Sequence, residues 1–117
     1  MITVYGIPNC DTVKKAITWL KENKIDFQFH DYKKQGITKT ILNNWSKQVS
    51  IDVLLNKKGT TWKACTAEEQ AAAAKKAGAI QLMTEKPSLI KRPVIEQDGT
   101  VLAVGFAADN YAAIFGK

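Results

Sequence analysis

The chain has 117 residues, 45% of them hydrophobic and 24% charged, which fits one globular domain, residues 1–117, with a modest core. No apolar run approaches the roughly 18 residues that cross a bilayer, and the opening MITVYG lacks the basic-then-apolar build of a secretory signal, so a cytoplasmic chain without membrane attachment is expected. The formal charge of +6 sits in separated pairs, Lys14-Lys15, Lys33-Lys34, Lys57-Lys58, Lys75-Lys76 and Lys91-Arg92, and Arg92 is the only arginine, a pattern that favours a small anionic partner over nucleic acid.

The first element is ITVYG, Ile2 to Gly6, a β-branched strand ended by glycine and, two residues on, proline. TVKKAITWLKENK follows with Val13, Ile17 and Leu20 at helical spacing. IDFQFHDY, Ile25 to Tyr32, alternates Ile25, Phe27, Phe29 and Asp31 against Asp26, Gln28 and His30, which reads as a second strand with one apolar face. A helical crossover makes these two strands parallel.

Residues 38–86 read as a mostly helical insertion. TKTILNNWSKQV carries Ile41, Leu42, Trp45 and Val49, a short SIDVLL follows, and then come TAEEQAAAAKKAG and AIQLMTEK. Thr66 and Glu69 have capping-box spacing, and Gly78 is expected to end the alanine-rich helix. Beyond Pro87, RPVIEQ and TVLAVGF flank Asp98-Gly99, a hairpin turn, and AADNYAAIF, Ala107 to Phe115, closes as a helix. The order, β-α-β and then β-β-α around a helical insertion, predicts an α/β chain with a thioredoxin-like fold.

Cys10 lies on the turn between the first strand and the first helix. A thiol there meets unpaired backbone N–H groups and the positive end of the helix dipole, which favour thiolate. Lys14 and Lys15 add positive charge one turn on, and Asp11 opposes them. Asn9 and Thr12 offer hydrogen bonds near the sulfur. The motif is CDTV, with Val13 where a Cys-x-x-Cys motif has its second thiol, so an external thiol or Cys65 must release any mixed disulfide. Cys65, ahead of the alanine-rich helix, reads better as a packing residue near Trp62. Trp19, Trp45 and Trp62 read as core or groove walls. His30 has no Cys or His partners at metal-ligand spacing, and no glycine-rich phosphate loop occurs, so neither a metal nor a nucleotide cofactor is expected.

GIPNCDTVKKA, FHDYKKQGI, LLNKKGTTW, PSLIKRPVI and VGF, in order along the chain, resemble the ArsC-related family of arsenate reductases and Spx regulators, most closely its YffB-type branch. The resemblance implies a thioredoxin-like fold with Cys10 as nucleophile, Arg92 facing it, and Pro93 as the cis-proline of such sites. The implied activity is a single-cysteine, thiol-dependent reductase with no bound cofactor and with glutathione as co-substrate. Around Cys10 and Arg92 the expected substrate- or glutathione-binding set is Asn9, Asp11, Thr12, Lys14, Asn56, Lys57, Lys91 and Pro93. The partner is then glutathione or a small or protein thiol, and a monomer is the simplest state. Arsenate reductases of the family surround the cysteine with further arginines, where this chain has Asn56 in LLNKKG and Val104 in AVGF. Arsenate reduction is therefore an alternative, as is a non-catalytic, Spx-like protein-binding regulator.

Overall fold

The computed structural model describes residues 1–117. In chain order the elements are β1 (Ile2–Gly6), α1 (Asp11–Glu22), β2 (Phe27–Asp31), α2 (Tyr32–Gln35), α3 (Lys39–Ser46), α4 (Ile51–Leu54), α5 (Thr60–Lys63), α6 (Ala67–Ala72), α7 (Lys76–Glu85), a 3-10 turn (Pro87–Leu89), β3 (Val94–Gln97), β4 (Thr100–Val104) and α8 (Ala108–Phe115). The fold is thioredoxin-like. Contacts divide the chain into two compact units, Met1–Gln35 with Arg92–Lys117, and Gly36–Lys91.

The first unit holds a four-stranded sheet in the order β2-β1-β3-β4, with β1 parallel to β2 and antiparallel to β3, and β3 antiparallel to β4. Register pairs Val4 with Phe29 on one side and Ile95 on the other. This puts Ile2, Val4, Ile95 and Ala103 on one face, buried against Ala16 and Leu20 of α1 and Tyr111 of α8. Period-2 alternation in the strands and 3.6-residue periodicity in α1 thus meet at one core. The hairpin turns at Asp98-Gly99, whose φ values of 50° and 90° are the conformation that this dipeptide accepts in tight hairpins.

The second strand starts two residues later than the apolar alternation predicts. Helix α1 ends in a side-chain cap, with Asn23 Nδ2 donating to the Trp19 carbonyl at 2.9 Å, and Lys24 then takes a positive φ of 59°. Ile25 N–H still bonds back to the Leu20 carbonyl at 2.9 Å, so Ile25 belongs to the helix exit. At the other end, the Asp31 carboxylate accepts from Lys33 N–H at 2.8 Å and converts the strand end into α2.

In the unit Gly36–Lys91, α3 packs on α7, and Leu42, Trp45, Leu54, Ile80, Met83 and Ile90 are buried. Leu55 and Ile90 form a single antiparallel bridge, with Asn56 N–H to Leu89 O and Lys91 N–H to Leu54 O both at 2.7 Å. Thr66 and Glu69 close the capping box. Gly78 does not stop the alanine-rich helix. That helix ends at Ala72, Lys75 is extended, and Gly78 lies inside α7. A Cβ there would run into the Ala72 carbonyl, so the glycine serves a close backbone approach of α7 to the end of α6.

Candidate active site

Cys10 is the N-cap of α1, with extended backbone at φ −101° and ψ 124°. Strand β1 leads to it through the Ile7-Pro8-Asn9 turn, which Cys10 N–H closes on the Ile7 carbonyl at 3.3 Å. Lys14 N–H bonds the Cys10 carbonyl at 3.0 Å and starts the helix. Gly6 sets how close that helix start lies to the strand end, since a Cβ there would stand 2.8 Å from Val13 Cγ2. The sulfur, partly exposed, is thereby held over the first free N–H groups of a 12-residue helix.

The Cys10 pKa is lowered from its ordinary value. Burial is the largest single influence and pushes the other way. The N–H of Val13, the Arg92 side-chain hydrogen bond, the N–H of Thr12 and the Arg92 charge together outweigh it. Thr12 therefore contributes through its backbone.

Arg92 enters from the head of β3. The Arg92-Pro93 peptide is cis and Pro93 is buried. Pro93 O accepts from Gly105 N–H at 2.8 Å, and Gly105 O accepts from the buried Tyr111 hydroxyl at 2.6 Å. The segment that carries Arg92 is thus tied through the hairpin end to α8. The charge of Arg92 is also felt by Tyr32, a fully buried residue whose hydroxyl has no hydrogen-bond partner and whose pKa burial pushes well up. Beside it, burial and the Glu96 carboxylate, which accepts a hydrogen bond from the Tyr5 hydroxyl, raise the Tyr5 pKa to about 12. The His30 ring lies 4.6 Å from Tyr5. Tyr5, His30, Tyr32 and Glu96 were not singled out together from the sequence, although strand alternation places Tyr5, His30 and Glu96 on the sheet face opposite Val4, Phe29 and Ile95.

A cysteine on a strand-to-helix turn, facing an arginine that precedes a cis-proline, can hold a thiolate and exchange disulfides, and comparison with known proteins agrees with that architecture. Residues 5–114 match the ArsC family. The chain belongs to the ArsC family. An uncharacterized protein of Haemophilus influenzae is 45% identical over 98% of this chain and 99% of its own length. The solved structure of a YFFB protein superposes with a TM-score of 0.92 at 44% identity, covering 97% of this chain and 98% of that one. More distantly, the global transcriptional regulator Spx of Streptococcus pyogenes serotype M6 is 25% identical over 100% of this chain and 87% of its own.

The remaining expected site residues of this ArsC-family chain fall into two groups. Asn9 and Asp11 are exposed on the Cys10 turn, Asp11 being the first residue of α1. Lys14 is exposed one turn on and, with Lys15, Thr18, Trp19, Glu22 and Phe106, lines an open cleft of about 360 Å³. Asn56, Lys57 and Lys91 belong to the unit Gly36–Lys91. There the Asn56 side chain accepts from Lys58 N–H at 3.1 Å, and Lys57 Nζ lies 5.6 Å from the Trp62 ring centre and 4.0 Å from Asp52. Cys65, in the same unit, is buried, and its thiol donates to the Thr61 carbonyl at 3.3 Å, the arrangement of a packed structural cysteine.

Proposed function

We propose that this ArsC-family protein is a thiol-dependent oxidoreductase in which Cys10 is the nucleophile and glutathione the resolving thiol. The observation that carries this reading is the pairing of the only arginine, Arg92, with a cysteine at the start of α1. In the reaction, the Cys10 thiolate attacks the glutathionyl sulfur of a mixed disulfide. A Cys10–glutathione S–S bond forms as the substrate S–S bond breaks, and the substrate sulfur leaves as a thiolate that takes its proton from water. A second glutathione, as thiolate, attacks the adduct, returns Cys10 to thiolate and departs as glutathione disulfide. The substrate gains the proton that this glutathione loses, and electrons and atoms balance.

Two residues support an external resolving thiol. Val13 occupies the place of a second active-site thiol, and Cys65 is buried with its proton engaged by Thr61. Arsenate is a poorer fit, because by the family resemblance arsenate reductases carry arginines at the position of Asn56 and near Val104, and a dianionic oxyanion is held better by several fixed cations. Within the unit that holds Cys10, Arg92 and Lys14 are the cations proposed for the carboxylates of glutathione, and the turn residues Asn9, Asp11 and Thr12 with the backbone before Pro93 border the sulfur.

The test is the product of mixing the Cys65→Ser protein with glutathione disulfide at neutral pH. One glutathione attached at Cys10, released by excess reduced glutathione, is expected, and a protein that takes up none overturns the mechanism. The full-length likeness to Spx motivates a second reading, a non-catalytic adaptor. A Cys10→Ser variant that folds and retains every cellular phenotype would favour that adaptor.

A further inference from the structure

The cleft along α1 has an apolar part that glutathione cannot use. Its floor is made of Trp19 and Phe106, both only partly buried, and both braced edge-on against the buried Tyr111, with ring centres 5.6 and 4.9 Å away. Aromatic rings fixed in this way offer contact area without an ordering cost on binding. At the end nearer Cys10 stand Lys14 and Lys15, exposed and in no ion pair, and at the far end stands Glu22. The cleft therefore has a cationic end on the side of the α1 start, where Cys10 is the N-cap, and an apolar middle. Glutathione has carboxylates for the first and no apolar side chain for the second.

We infer that this cleft seats the protein part of a glutathionylated protein substrate, an extended segment bearing an acidic residue close to the reacting cysteine and an apolar side chain beyond it. The inference rests on the reductase reading and names its substrate class. Spacing supports it. At 1.5 Å of rise per residue, Lys14 and Lys15 lie about 6–8 Å along α1 from Cys10 and Trp19 about 14 Å. An extended chain covers about 3.3–3.6 Å per residue, so the acidic residue falls about two positions from the substrate cysteine and the apolar one about four. Glu22 repels a second acid at the far end, which fixes the order of the two features.

The probe is the synthetic peptide Leu-Gly-Asp-Gly-Cys-Gly-Asp-Gly-Leu, glutathionylated on its cysteine and symmetric so that either chain direction fits. Thr18→Glu with Phe106→Ala, neither of them a residue of the Cys10 site, puts a carboxylate beside the cationic end of the cleft and removes an apolar side chain from its lining. Relative to the unaltered protein, KM for the peptide is expected to rise about tenfold or more, while KM for the mixed disulfide of glutathione and 2-mercaptoethanol stays within about twofold. Equal effects on both substrates overturn the docking assignment. Docking is also read without chemistry, by fluorescence anisotropy of a labelled peptide with serine for cysteine, bound to Cys10→Ser protein. Saturable binding, weakened about tenfold by the paired variant and by lysine in place of the peptide aspartates, is expected. Absence of binding contradicts the cleft even if Cys10 turns over small disulfides, whereas binding with no turnover of any disulfide contradicts the reductase and leaves the cleft standing.

Discussion

The Arg92 guanidinium at the head of β3 and the N–H groups of Thr12 and Val13 at the start of α1 together hold the Cys10 pKa below its ordinary value. Removing the guanidinium in Arg92→Ala should raise the Cys10 pKa, and Arg92→Lys should fall between, keeping a charge but losing the planar donor fork. Iodoacetamide alkylation against pH reads this as an inflection displaced upward. The same pairing has a stability consequence. The folded-state pKa lies below that of the unfolded thiol, about 8.5, so the thiolate's contribution is fully present above that value and is lost as pH falls through the depressed one. Arg92→Ala should therefore flatten the pH dependence of stability across that window, measured by urea unfolding.

Gly6 and Val13 set the seat of α1. A methyl in Gly6→Ala would meet Val13 Cγ2 at 2.8 Å, an overpacking expected to cost about 1–3 kcal/mol. If the helix start shifts to relieve it, the Cys10 inflection rises as well. Adding Val13→Ala should recover part of both losses, and a double-mutant cycle in urea reports the coupling.

Gly78 should respond against helix propensity. Glycine to alanine inside a helix ordinarily gains about 0.5–1 kcal/mol. Gly78→Ala is expected to destabilise instead, because the new Cβ collides with the Ala72 carbonyl. A variant more stable than the parent in thermal unfolding would contradict the close approach of α7 to the end of α6.

Tyr111→Phe removes the hydroxyl that donates to Gly105 O at 2.6 Å and leaves that carbonyl without this partner. The expected cost is about 1 kcal/mol in urea unfolding. The Cys10 alkylation inflection should stay in place, since Gly105 N–H still holds Pro93 O.

What could be read from the residues follows from whether the cause is local. Strand β1, the Asp98-Gly99 turn and the Thr66–Glu69 capping box are set by neighbouring residues, and each stands where its pattern predicts. The break after Ala72 was not legible, because alanine continues a helix as readily as it starts one and the stop comes from packing on α7. Nor was the burial of Tyr5 and Val94, since alternation separates two faces of a strand without saying that both are covered. Cys10 could be placed on its turn from local pattern. The nearness of Arg92 could not, because it depends on β3 pairing with β1 across most of the chain, and only the family resemblance pointed to it.

The most direct measurement is the thiolate titration of Cys10 in a Cys65→Ser background, followed as thiolate absorbance and as iodoacetamide rate against pH. An inflection below that of a free thiol is expected, moved upward by Arg92→Ala, with a glutathione adduct forming at Cys10 across the same pH range. A Cys10 that titrates like a free thiol, unmoved by loss of Arg92, would contradict that expectation.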